Sequence, residues 1–94
     1  MKLHLFLFLA LVVAGPIQAA CYADYKAKKD NPLRLHYGVI ELPDQACGSS
    51  RAAQAEVQRR LGQAGWEMLT LMGVFGQDGL AERRASADSF YLRF

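Results

Sequence analysis

Few residues of this 94-residue chain are of types that do chemistry, and those few are widely spaced. Beyond the first twenty residues there is one histidine, His36, and there are two cysteines, Cys21 and Cys47. Acid–base and nucleophilic catalysis need a nucleophile beside a histidine or an activated carboxylate, and no Gly-x-Ser-x-Gly motif accompanies His36. We therefore predict a protein that is not an enzyme and has no catalytic residue, with a small hydrolase as the least favoured alternative.

Metal and redox motifs are missing from the sequence as well. The chain contains no Cys-x-x-Cys and no His-x-x-x-His, the spacings typical of zinc sites and of thioredoxin-like centres. We expect neither a metal nor another cofactor.

The N-terminus has the pattern of a secretory signal peptide. Lys2 precedes an unbroken apolar run from Leu5 to Ala14, and small residues follow Gly15-Pro16. Ten apolar residues in a helix span roughly 15 Å, about half of a ~30 Å hydrocarbon core, so this run is too short for a transmembrane helix. We predict a cleaved leader over residues 1–20, with the cut after Ala19 or Ala20. The remaining domain, 21–94, is then periplasmic or secreted in a Gram-negative envelope.

The predicted location indicates the oxidation state of the two cysteines. In an oxidising compartment Cys21 and Cys47 are expected to form a disulfide, which would stabilise a domain too small for a large core. Two alternatives stay open. Cys21 directly follows the predicted leader, so it could carry a lipid anchor and leave Cys47 free, or both thiols could be unpaired.

The net charge excludes one class of partner. The chain has eleven basic residues, of which Lys2 falls in the leader, against nine acidic ones. A dedicated nucleic-acid binder would normally be strongly basic, so we expect no nucleic-acid partner.

Alternation of apolar and polar residues predicts strands over 33–42, 67–75 and 89–94. The phase changes at Gly38, which suggests a bulge there. Segment 22–29 suits a half-buried edge strand, which would be a fourth, or a helical turn. Another short helical turn is expected at 80–84.

A helix is predicted between the second and third of these segments, after Ser49 or Ser50. Its apolar stripe, at three- and four-residue spacing, is formed by Ala53, Val57, Leu61 and Ala64. Gly65 is placed to end the helix in a left-handed conformation, and Trp66 follows at once. We interpret Trp66 as a structural anchor between helix and sheet rather than as a ligand platform.

These elements predict an α+β fold, with one amphipathic helix packed on a three- or four-stranded, mainly antiparallel sheet. One helix cannot cover both faces of a sheet. The second face would then be solvated or used for association, and the residues expected on it are Met68, Thr70, Met72 and Val74.

A basic cluster is the other candidate surface. Its members are Lys26, Lys28, Lys29 and Arg34. It could face an acidic partner such as a lipid headgroup, lipopolysaccharide or an acidic protein patch. The competing interpretation is a solvated edge strand, on which lysines deter edge-to-edge pairing.

The order of helix, Gly65-Trp66-Glu67, apolar strand from Met68-Leu69 and aromatic ending Phe90-Tyr91-Leu92-Arg93 resembles a family of small bacterial domains, domain of unknown function 4177. The resemblance covers roughly residues 33–94. It implies the α+β fold but no activity. The sequence as a whole predicts an exported, non-enzymatic protein that binds a protein partner or forms a homodimer. An accessory subunit or inhibitor that docks on an envelope enzyme through an edge strand is the alternative.

Overall fold

The computed structural model describes residues 20–94. The predicted signal peptide, apart from its last residue, therefore lies outside the described residues. Three strands form one antiparallel sheet: β1 (Cys21–Lys29), β2 (Arg34–Leu42) and β3 (Glu67–Gly76). Two helices accompany them, α1 (Ser50–Gln63) and α2 (Ala81–Ala87). The predicted α+β fold class is confirmed.

β1 is the central strand, because the strand order is β2-β1-β3. The sequence left this segment open between an edge strand and a helical turn, and the structure agrees with neither. The reason is visible in its burial, since residues from Tyr22 to Tyr25 are all buried. A strand that is buried on both faces must lie inside the sheet, with a layer on each side.

The prediction of a bulge at Gly38 is also wrong. β1 and β2 pair without interruption, and Gly38 faces Tyr25. The irregularities occur instead between β1 and β3, where the register shifts twice, so that Leu69 and Met72 have no partner on β1. An extra residue of this kind bends the strand and increases its twist.

The C-terminal segment is not the predicted strand 89–94. Asp88–Phe90 is a short 3-10 turn, and only an isolated parallel bridge joins Tyr91 to Val39 of β2. The nitrogen of Leu92 donates to the oxygen of Val39 at 2.9 Å. Asp88 and Leu92 have φ of 50° and 54°, so the backbone cannot continue as an extended strand. The segment therefore lies along the outer edge of β2 without extending the sheet.

α1 forms as the sequence predicted. The hydroxyl of Ser49 accepts a hydrogen bond from the nitrogen of Ala52 at 3.0 Å, and Ala53, Val57 and Leu61 are fully buried. Gly65 has φ of +84°, and the nitrogen of Trp66 bonds back to the oxygen of Leu61 at 2.9 Å. The left-handed glycine ends the helix and directs the chain into β3.

Each face of the sheet has its own core. The face under α1 buries Ala23, Tyr25, Ala27, Ile40 and Leu42 against the helix. On the opposite face α2 and the C-terminal segment cover a smaller cluster built on Tyr22, Val39 and Ala87. The predicted helical turn at 80–84 is thus a real helix, displaced by a few residues, which covers part of the second face.

Cys21 and Cys47 form a disulfide bond with their Cα atoms 6.1 Å apart. It ties the start of the central strand to the turn before α1. Neither helix in residues 20–94 is long and apolar enough to cross a bilayer.

Candidate functional site

His36 lies in the most aromatic part of the described chain. It is paired with Ala27 and so shares the α1 face of the sheet. Its Nε2 is 2.9 Å from the hydroxyl of Tyr25, and the Trp66 ring meets it edge-on with centroids 4.3 Å apart. The ring of Phe90 stacks on the His36 ring with centroids 3.6 Å apart, and the centroid of the Phe94 ring is 6.1 Å from that of His36. We call these five residues the aromatic cluster.

The position of Tyr25 explains how the cluster is assembled. Its ring lies across Gly38, and a Cβ at position 38 would be 2.5 Å from the ring carbon Cζ. Only glycine leaves room for the ring there. The phenol can then reach along the sheet to His36.

The environment keeps His36 uncharged at neutral pH. Burial, and then the positive charges of Arg93 and Lys29, lower the pKa of His36 to about 4. Burial also raises the pKa of Tyr25, so its hydroxyl stays protonated and can donate to Nε2. The other ring nitrogen, Nδ1, is buried without a hydrogen-bond partner in residues 20–94. The neutral imidazole therefore packs among the aromatic rings of the cluster.

Three cations surround the cluster. The Nζ of Lys29 is 4.6 Å from the Trp66 ring centroid, and the guanidinium of Arg34 is 5.7 Å from it. The guanidinium of Arg93 lies 5.3 Å from the Phe90 ring. Cations at these distances are attracted by the faces of aromatic rings.

The structure brings the predicted basic cluster together at one end of the sheet. Lys29 pairs with Arg34 at the β1–β2 turn, and both lie near Trp66. Lys26 and Lys28 alternate with Lys29 along β1, so they are on the opposite face. The cluster therefore occupies both faces of the hairpin end, and the edge-strand interpretation of its lysines does not apply.

The predicted association surface is not one face. Met68 pairs with Ala27 and Val74 with Ala23, which places both on the α1 face. Thr70 pairs with Lys26 on the opposite face, and Met72 is a bulge residue. The two register shifts separate these four residues, and the large apolar side chains left exposed along β3 are Leu69, Met72 and Val74.

β3 is an outer strand of the sheet. β1 pairs with one side of it, and no other strand of residues 20–94 pairs with the other side. From Met68 to Gly76 the strand carries no charged residue. An outer strand presents unpaired N–H and C=O groups and can therefore pair with another chain.

Sequence reasoning missed a polar network on the α2 face. Asp24 is buried, and its Oδ2 accepts from the Tyr37 hydroxyl at 2.8 Å and from Nε of Arg83 at 3.0 Å. Arg83 also donates to the oxygen of Gly79 at 2.7 Å and lies 3.9 Å from the Phe75 ring centroid. The signal was an acidic residue directly between the apolar residues Ala23 and Tyr25, because a buried carboxylate needs a partner.

This network raises two pKa values. Burial, followed by the bond to Asp24, raises the pKa of Tyr37 to about 12. The hydrogen bond to Asp24 raises the pKa of Arg83. The network joins α2 to the sheet.

Residues 20–94 contain no grouping of three or more histidine, cysteine or acidic side chains that could hold a metal ion. Comparison with protein-family models, curated proteins and solved structures returns no match. The resemblance to domain of unknown function 4177 stays a hypothesis.

Proposed function

We propose that this chain is an exported, disulfide-stabilised, non-enzymatic module that forms a homodimer by pairing the outer edge of β3 with the same strand of a second copy. The observation that supports the proposal most directly is the outer edge of β3, with which no strand of residues 20–94 pairs. The edge of β2, by contrast, is partly occupied by the C-terminal segment through Tyr91 and Leu92.

The composition of β3 suits pairing with itself. Antiparallel pairing about Met72 places Thr70 opposite Val74 of the second copy and Leu69 opposite Phe75. No like charges meet within the run Met68–Gly76. A two-fold arrangement of this kind is self-complementary and closes after two copies.

The exposed side chains add apolar area to such a pairing. Leu69 is 50% exposed, Met72 52% and Val74 37%. Covering them in a dimer removes apolar surface from water, which main-chain hydrogen bonds alone would not do.

Self-association is tested by the mass in solution. Protein recovered after expression of the full chain is measured by sedimentation velocity over a hundredfold range of concentration. We expect a concentration-dependent shift from monomer to dimer. Met72→Lys places two ammonium groups opposite each other and should weaken the dimer at least tenfold. Leu33→Lys, the same type of change on an exposed residue outside β3, is the matched control.

A folded wild-type protein that stays monomeric throughout this range contradicts the homodimer. The same edge could then accept a strand from an envelope enzyme, the accessory-subunit alternative. That alternative predicts one stoichiometric partner retained by wild type from a periplasmic extract and released by Met72→Lys.

Export has its own test, the intact mass of protein recovered from the cell envelope. A mass that corresponds to cleavage after Ala19 or Ala20, two hydrogens lighter before reduction than after, supports a soluble disulfide-bonded product. A mass that corresponds to a chain starting at Cys21 with an added lipid contradicts a soluble disulfide-bonded product and supports a lipid-anchored protein.

A further inference from the structure

We propose that the end of the β1–β2 hairpin is a docking site for an anionic lipid bilayer surface, which the tip enters first. The turn between the strands spans residues 30–33 and is exposed throughout. Leu33 on the turn is 62% exposed and Leu35, just inside β2, is 65% exposed. They are the two most exposed large apolar residues among those the structure describes.

The charges around these leucines are mainly positive. Lys28 is neutralised in part by Asp30 at 3.2 Å and Glu67 at 3.9 Å. Lys29 and Arg34, in contrast, have no carboxylate within 4.0 Å in residues 20–94. Two full positive charges are thus held beside Leu33, and phosphate-bearing headgroups of an anionic bilayer would complement them.

Trp66 completes the surface. It is half-buried, and Lys29 and Arg34 lie against it. Tryptophan is favoured at the boundary between headgroups and acyl chains, where its ring is partly apolar and its N–H is solvated. Long basic side chains can keep their charged ends at the headgroups while the adjacent leucines enter the apolar layer.

The arrangement fits a bilayer better than an acidic protein. Lys29 and Arg34 lie on the α1 face of the sheet, Lys26, Lys28 and Leu35 lie on the other face, and Leu33 is on the turn. A lipid surface that receives the tip contacts the cations on both faces at once, and its headgroups rearrange around the exposed leucines.

The test is binding to vesicles, read from the fluorescence of Trp66, the only tryptophan in the chain. Protein recovered after expression of the full chain is titrated with vesicles of phosphatidylglycerol and phosphatidylcholine, and with phosphatidylcholine alone. We expect a blue shift with the anionic vesicles only, and its loss in 0.5 M salt, roughly three times the ionic strength of the cell. K29Q/R34Q should weaken binding roughly thirtyfold, at about a factor of five for each cation removed. Leu33→Ser should weaken it about tenfold.

R51Q/R84Q is the control, because it removes the same number of positive charges from exposed positions on α1 and α2, outside the hairpin end, and should bind anionic vesicles as wild type does. All variants share one N-terminus, so a difference between them reports the hairpin end alone. Equal binding to both vesicle types, or unchanged binding by K29Q/R34Q with a native circular dichroism spectrum, overturns the proposal. Binding to polyglutamate with no binding to vesicles also overturns it and assigns the charges to an acidic protein.

Discussion

The ring of Tyr25 on β1 occupies the space above Gly38 on β2, where a side chain would otherwise stand. The two residues are directly paired, and a Cβ at position 38 would lie 2.9 Å from Cε1 of the ring and closer still to Cζ. Because Tyr25 is fully buried and hydrogen-bonded to His36, its ring has little room to move away from position 38.

Gly38→Ala should therefore destabilise the protein. The added methyl group forces the Tyr25 ring out of the core or separates β1 from β2, and overpacking of this kind costs about 1–3 kcal/mol. Urea unfolding followed by circular dichroism measures the loss. Gly62→Ala is the matched control, because a Cβ at this exposed position of α1 would meet nothing within 4 Å beyond its own part of the helix. Replacing a helical glycine with alanine should stabilise by up to about 1 kcal/mol. If Gly38→Ala leaves the free energy of unfolding unchanged, the Tyr25 ring can move aside without cost, which contradicts the prediction.

Stability should fall in mild acid because of His36. Its pKa is lowered from 6.5 to about 4 on folding, so between these values the unfolded chain binds a proton that the folded chain does not. The free energy of unfolding is then highest above pH 6.5 and declines as the pH approaches 4. Allowing for solvent screening of a partly exposed ring, we expect this residue to contribute a loss of about 1–2 kcal/mol.

His36→Phe keeps an aromatic ring in the cluster and removes the proton. We expect the pH dependence between about 6.5 and about 4.5 to flatten relative to wild type, although the variant loses the hydrogen bond from Tyr25. Urea unfolding at several pH values measures both curves. Parallel curves for the two proteins would show that other groups cause the acid sensitivity.

Removal of the disulfide should cost a large part of the stability. The bond joins residues 26 positions apart, and closing a loop of this length restricts the unfolded chain by roughly 3.5 kcal/mol. We expect C21S/C47S to unfold at lower denaturant concentration, and reductant to move wild type to the same midpoint. Reductant should leave C21S/C47S unchanged. A wild-type midpoint that does not respond to reductant would contradict a stabilising role.

The pair Asp24 and Arg83 should be energetically coupled. Asp24→Asn leaves the guanidinium without its carboxylate beside the sheet, and we expect a loss of about 2 kcal/mol. A double-mutant cycle with Arg83→Gln should show that the two substitutions are not additive. Arg84→Gln, on the exposed side of α2, is the control and should change stability by less than about 0.5 kcal/mol. Additive effects of the first two substitutions would show that α2 is held by other contacts.

Local patterns in the sequence were sufficient to predict the elements that are stabilised by interactions between near neighbours in the chain. The cap at Ser49, the stripe from Ala53 to Leu61 and the glycine at 65 predicted α1 and its ends, because capping and helical periodicity depend only on near neighbours. Alternation predicted β2 and β3 for the same reason. The two cysteines predicted the disulfide, since the N-terminal pattern indicates export to an oxidising compartment, where disulfides form and persist.

Only the tertiary structure decided where those elements lie. β1 became the central strand because two layers, α1 on one face and α2 on the other, bury both of its faces. A local sequence pattern does not show how many faces of a strand other elements will cover. The bulges at Leu69 and Met72 likewise depend on long-range packing, and they divide the predicted association surface between the two faces of the sheet. The positive φ of Leu92 also depends on such packing, and it prevents the predicted C-terminal strand. The sequence by itself determined α1 with its two ends and the strands β2 and β3, and it favoured a disulfide between the two cysteines. The packing of distant segments determined that only β1, among the strands of residues 20–94, pairs with β3, and that Lys29 and Arg34 meet beside Trp66 at the hairpin end.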